Sequence, residues 1–160
     1  VVRGAFRQRL DAAPFLDLST RTAADVKLAM VGAAIGDSPV LGAGNYADRD
    51  VGVAGSTGRG EANLFHLGAF VIVEEMRRGA HPRDAALEAL RRIRTGTREK
   101  RLLNGRGMPN FQVVFYALDR NGRHAAAALY GGKDVQYAVC TEKGPENLPV
   151  EALLPGSARD

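Results

Sequence analysis

The chain has 160 residues, a formal net charge of +4, 45% apolar and 25% charged residues. That length suits one domain with its own core and is short for two, and no run is apolar for long enough to span a bilayer. The single cysteine, Cys140, excludes an internal disulfide and a cysteine-based zinc site within this chain; as a small apolar side chain it is expected in the core.

Residues 1–35 show neither strand alternation nor helical period, and only 22–30 suit a short helix. The first ten residues carry three arginines and no hydrophobic signal core. From Gly36 the composition changes to Gly-Asp-Ser-Pro-Val-Leu-Gly-Ala-Gly-Asn-Tyr-Ala-Asp, followed shortly by Gly55-Ser56-Thr57-Gly58-Arg59-Gly60-Glu61. Glycine loses the most backbone entropy on folding, so such clustering implies tight turns or close approach to a ligand. Backbone N–H groups just ahead of a helix form a cradle for negative charge. Residues 46–54 read as a short hairpin leading into a loop at Thr57 and Gly58.

Phe65, Ala69, Ile72, Val73 and Met76 recur at helical spacing and predict one helix over 61–78, stopped by Gly79. Pro82 opens a second helix over 82–93, with Ala86, Leu87, Leu90 and Ile93 as its apolar stripe. Residues 111–118 are rich in β-branched and aromatic side chains and predict a strand. Asn121-Gly122 turns it into a return strand over 123–130. Both faces of 111–118 are apolar, which predicts a sheet covered on each side. A third strand is expected over 135–141, and the residues from Glu142 are expected to be peripheral.

Most of the basic excess lies between Arg77 and Arg106. Such a block is either a nucleic-acid footprint or the solvated face of an arginine-rich helix. No aromatic residue is interleaved from Arg77 to Pro109, so a stacking platform is missing and nucleic acid is disfavoured as a partner. The dinucleotide, phosphate-loop and nucleophile-elbow motifs are absent. His66, His81 and His124 are far apart in sequence, which favours structural or surface roles over a metal or acid–base cluster. What remains is Asp37 and the segment from Thr57 to Glu61. A carboxylate beside glycine backbone can hold an ammonium group, and a threonine hydroxyl with a neighbouring N–H can stabilise an oxyanion. Equally, Asp37 can cap a turn with Ser38-Pro39 while the glycines merely allow tight turns.

The run from Gly36 to Asp48, the hairpin, Ser-Thr-Gly-Arg-Gly-Glu and a helix ending Met-Arg-Arg-Gly together resemble the β-subunit of glycosylasparaginases and type 2 asparaginases, which are N-terminal-nucleophile (Ntn) hydrolases. The likeness extends from about Gly36 to about Cys140, taking in Phe111-Gln112-Val113 and Gln136-Tyr137-Ala138-Val139. It implies an α+β, four-layer αββα fold, of which 36–160 is the β-subunit-like half and 1–35 is unassigned. The implied activity is hydrolysis of a β-aspartyl or N4-(β-N-acetylglucosaminyl)-L-asparagine amide, with an asparagine-linked small molecule or glycopeptide as substrate. The resemblance implies no cofactor and no metal. By carry-over Asp37 and the Gly60 carbonyl hold the substrate ammonium, and Thr57 and the Gly58 N–H form the oxyanion hole. An α-subunit-like chain or a second copy is the implied partner; the compartment stays open.

Two family features have no counterpart. The nucleophilic threonine, freed by self-cleavage after an aspartate, belongs roughly thirty residues before Gly-Asp-Ser-Pro. Residues 1–18 contain no Ser, Thr or Cys, and no Asp-Thr pair occurs. The family's substrate-clamping arginine is replaced by the run Ala33-Ala34-Ile35, which would leave a substrate carboxylate unpaired. An altered N-terminal part, a non-catalytic homologue that binds an aspartate-like ligand or a partner chain, and residues supplied by another chain each account for this. The end of the match near Ile35 favours the first.

Overall fold

The computed structural model describes residues 37, 40–132 and 135–160, all within the unit Gly36–Asp160. The helix expected over 22–30 lies outside them. Strand β1 (Asn45–Asp48) pairs antiparallel with β2 (Gly52–Gly58) in the expected hairpin, with Tyr46 opposite Ala54. Strand β2 continues through Thr57 and Gly58, so these two are strand residues rather than loop residues. It pairs along its whole length with β3 (Val113–Asp119), which turns into β4 (His124–Tyr130).

Asp119 builds that turn. Its Oδ1 accepts the backbone N–H of Asn121 and of Arg123, each at 2.9 Å, and its Oδ2 lies 2.5 Å from Arg123 Nε. Burial opposes ionisation of Asp119, but the Arg123 guanidinium and the two N–H groups outweigh it and hold the carboxyl below its ordinary range. A carboxyl held low contributes stability above its unfolded pKa and loses it as pH falls through the folded one. Acid unfolding followed by circular dichroism should therefore show a limb in the acid range that Asp119→Asn flattens. An acid limb unchanged by that substitution would contradict this role for the turn.

One helix was expected over 61–78, and two form: α1 (Gly60–Leu64) and α2 (Gly68–Arg77). The chain breaks at Leu67, which takes a left-handed conformation at φ 48°. The reason lies at Gly68, where a Cβ would overlap the Phe115 ring and Asn63 Oδ1. Ala69, Ile72, Val73 and Met76 are buried as their spacing predicts, while Phe65, displaced by the break, is 87% exposed. Helix α3 (Pro82–Gly96) starts with Pro82 and with His81 accepting from the Arg83 N–H at 3.2 Å. Its buried stripe is Ala85, Ala86, Ala89, Leu90 and Ile93.

Helices α2 and α3 cover one face of the sheet. Their stripes meet Val113, Phe115 and Ala117 of β3 and Ala127 and Leu129 of β4 in one core. Each fully buried Val, Leu, Ile or Phe side chain among them contributes about 1.5–3 kcal/mol relative to exposure. The opposite face is covered differently. Ala126, Ala128 and Val114 pack there with Val135, Tyr137 and Val150, but Val53, Tyr116 and Leu118 are 41%, 39% and 43% exposed. The described residues thus cover one face fully and the other only beside β4.

The third strand, β5 (Gln136–Thr141), pairs with β6 (Gly144–Pro149) in a separate two-stranded sheet. Cys140, expected in the core, lies exposed on β5 because this hairpin has little packed against it. Nor is the stretch after Glu142 peripheral: β7 (Glu151–Leu154) adds to the main sheet in parallel beside β4, giving the order β1-β2-β3-β4-β7.

The basic block is mostly a solvated, paired surface. Arg77 bonds Glu74 and Asp48, Arg92 bonds Glu75 and Glu88, and Arg101 bonds Glu99. Arg106 reaches the carbonyls of Pro155 and Ser157, fastening the loop after α3 to the segment after β7. None of the described helices is long and apolar enough to cross a membrane.

Candidate functional site

The glycine-rich segment is fastened to the start of α2. Phe70 N–H donates to the Gly42 carbonyl at 2.8 Å and Ala69 N–H to the Ala43 carbonyl at 3.2 Å. Gly68 N–H donates to Asn63 Oδ1 at 2.9 Å. These are the N–H groups that a helix start leaves without intrahelical partners. The leading donors of α2 are thus spent on the loop that precedes it and on Asn63.

Asp37 is buried, with 5% of its surface exposed, and its carboxylate is anchored on one side. Ser56 Oγ donates to Oδ2 at 2.8 Å, and Asn63 Nδ2 donates to the same oxygen at 2.5 Å. Ser56 is held in turn by its own N–H on the Gly44 carbonyl at 2.9 Å. Burying a carboxylate is costly unless it is hydrogen-bonded, and two donors on one oxygen satisfy that need. They also leave Oδ1 as the oxygen that neither donor uses. Asp37 thus reaches β2 at Ser56, the residue immediately before Thr57.

Thr57 lies on the other side of the strand. It pairs with Val114, and its Oγ1 lies 3.4 Å from the Tyr116 hydroxyl. Thr57 and Tyr116 therefore share the sheet face that Val53 and Leu118 leave half-exposed, since residues two apart on a strand point the same way. Gly58 follows at φ +111°, and a Cβ there would overlap the Gln112 carbonyl. Glycine is thus required by both backbone angle and space. Arg59 N–H donates to that same carbonyl at 2.8 Å, and its guanidinium lies 5.6 Å from the centre of the Phe111 ring. Gly60 is buried and opens α1.

The four residues singled out in the sequence are therefore placed in two groups. Thr57, Gly58 and Gly60 run along the end of β2 into α1, and Asp37 is joined to that segment through Ser56. Ser56, Asn63 and Tyr116 were not singled out, although each touches one of the four. Ser56 lay in the quoted motif. Asn63 carried a faint signal, an amide in the opening turns of a helix whose neighbours are apolar. The three histidines serve local structure: His66 Nδ1 bonds the Ala62 carbonyl at 2.8 Å, His81 caps α3, and His124 Nδ1 lies 3.1 Å from the Tyr137 hydroxyl. No group of three or more possible metal ligands occurs among the described residues.

A cleft of about 630 Å³ opens on the half-exposed sheet face, lined by Val53, Tyr116, Leu118, His124, Tyr137 and Val139 among others. Burial raises the Tyr137 hydroxyl above its ordinary pKa, so at neutral pH it is a neutral donor and acceptor.

Residues 18–101 match the family model Asparaginase_2, described as asparaginase. The match begins upstream of Gly36 and runs across Ile35, so the likeness does not end where the motifs alone placed its edge. An "N(4)-(Beta-N-acetylglucosaminyl)-L-asparaginase" of Elizabethkingia miricola is 36% identical over 112 residues, 69% of this chain and 31% of that protein. The "Probable isoaspartyl peptidase/L-asparaginase 3" of Arabidopsis thaliana is 37% identical over 105 residues, 66% of this chain and 26% of its own length. A Drosophila yakuba protein named "Putative N(4)-(beta-N-acetylglucosaminyl)-L-asparaginase" is 40% identical over 125 residues, 76% and 28% of the two chains. The chain spans less than a third of the length of these curated relatives. With a family match over more than half of its residues and this level of identity, the chain belongs to the Asparaginase_2 family of asparaginases.

Proposed function

We propose that this chain carries the substrate-holding and oxyanion-stabilising part of an amidohydrolase that cleaves the side-chain amide of asparagine derivatives. The relatives named above act on N4-(β-N-acetylglucosaminyl)-L-asparagine and isoaspartyl bonds by their names, and the same substrate class is assigned here. Asp37 takes the α-ammonium of the aspartyl group on the carboxylate oxygen left over by Ser56 and Asn63, with the Gly60 carbonyl as second acceptor. Attack on the side-chain carbonyl puts negative charge on its oxygen. The Thr57 hydroxyl and the Gly58 N–H donate to that oxygen and lower the barrier as the charge develops. The observation that supports this most is the buried Asp37 carboxylate, with Oδ2 held by Ser56 of β2 and by Asn63.

The same reading makes 36–160 the β-subunit-like half of a four-layer αββα fold. The half-exposed face bearing Thr57, Val53, Tyr116 and Leu118 is then the one that a second sheet covers, from an α-subunit-like chain or a second copy. No nucleophile is assigned among the described residues, and residues 1–18 hold no Ser, Thr or Cys. That last observation favours the second reading, a family member that binds an aspartate-like ligand or partner chain without turnover. Incubation of the purified chain with aspartylglucosamine, followed by assay of free aspartate, separates the two. Aspartate release that follows enzyme concentration supports the hydrolase, and binding of aspartate without release supports the binding module.

A further inference from the structure

We propose that Asn63 is the positioning residue of this site, the group that fixes the Asp37 carboxylate against strand β2. Its side chain is fully buried. Its Nδ2 lies 2.5 Å from Asp37 Oδ2, 2.8 Å from the Ala43 carbonyl and 2.9 Å from Ser56 Oγ, while its Oδ1 accepts the Gly68 N–H at 2.9 Å. One amide therefore joins the glycine-rich segment, β2 and the first residue of α2. An amide offers two donor hydrogens and two acceptor sites, and here both hydrogens are engaged on oxygen. Ser56 adds the second donor to Asp37 but is itself tied to Asn63, so the carboxylate's orientation is set by a closed triangle of Asp37, Ser56 and Asn63.

The consequence is directional. With Oδ2 held by two donors, Asp37 cannot rotate to present that oxygen, and Oδ1 is left to meet a ligand ammonium. A carboxylate in that state is pre-organised, so less ordering is required when the ligand binds. This second step rests on the amino-acid-binding reading given under Proposed function; the link between Asn63 and Asp37 does not.

The test has two arms. In the isotope-labelled native chain, a scalar coupling across the hydrogen bond from Asn63 Nδ2 to Asp37 Cγ is expected, with Asn63 side-chain hydrogens exchanging far more slowly than those of exposed Asn121. Asn63 hydrogens exchanging as fast as those of Asn121, with no coupling, would overturn the proposal. The second arm is titration with L-aspartate of the native chain, Asn63→Asp and Asn63→Leu. Asn63→Asp keeps an acceptor for the Gly68 N–H but removes the donor to Asp37, so a residue that merely seats α2 would leave affinity unchanged. Losing a hydrogen bond to a charged group predicts about tenfold weaker binding or more. Asn63→Leu removes both contacts without adding charge and serves if the aspartate variant does not fold. Equal affinity in a folded variant overturns the positioning role. A native chain that shows the coupling but binds no aspartate supports the Asn63–Asp37 link and overturns the amino-acid-binding reading instead.

Discussion

Phe115→Ala is expected to lower the unfolding free energy by about 3–5 kcal/mol, the range for truncating a buried aromatic ring. Phe115 is the largest fully buried side chain among the described residues. It lies between the two helices and the sheet, and its ring closes against Gly68, where α2 begins. Removing it therefore opens a cavity and frees the helix start together. Domains of this size have only about 5–15 kcal/mol in total, so the variant should be marginal at room temperature. Urea unfolding followed by circular dichroism measures this directly. A loss under about 1 kcal/mol would mean that the core closes around the gap and that the ring is not its keystone.

The other large effect concerns rate. In preparations that release aspartate from aspartylglucosamine, Thr57→Ala is expected to lower kcat by about 10²–10³-fold, the usual cost of deleting one oxyanion donor. Thr57 is exposed on its strand, with its hydroxyl 3.4 Å from that of Tyr116, so the substitution should leave the unfolding midpoint nearly unchanged. Thr57→Ser keeps the hydroxyl and should retain most of the rate. Unaltered turnover in Thr57→Ala would remove Thr57 from the oxyanion hole.

Much of this architecture was legible because its determinants are local. The stripe of α3, its proline start, the Asn-Gly turn and the strands around it all follow from periodicity and turn chemistry within a few residues. The break between α1 and α2 was not. It depends on Phe115 and Asn63 meeting Gly68, contacts that connect segments far apart in the chain. Strands β6 and β7 were hidden for another reason. Pro145 and Pro149 cannot donate to a ladder and mark an edge strand, and the short Glu-Ala-Leu-Leu run of β7 gains its pairing only because β4 is already in place. Cys140 was misplaced since residue type was taken for burial, whereas the β5–β6 hairpin buries little of itself.

The site divides along the same line. Asp37, Thr57, Gly58 and Gly60 stood out through glycine density and the motif around them. Their supporting residues did not, because Ser56 and Asn63 lie 19 and 26 positions from Asp37 and meet it only once the chain has folded. Sequence supplies the groups that would touch a ligand, and tertiary structure supplies those that aim them. The basic block shows the converse. Read along the chain it is a cluster of like charge, yet on the surface its arginines alternate with Glu74, Glu75, Glu88 and Glu99.

Calorimetric titration of the chain with L-aspartate reads whether Asp37 receives the ammonium of an aspartyl ligand. A single site per chain is expected, with affinity falling by tenfold or more in Asp37→Asn, since hydrogen bonds to a charged group contribute about 1.5–3 kcal/mol each. Binding of equal strength in Asp37→Asn, or no binding to the native chain, would contradict it.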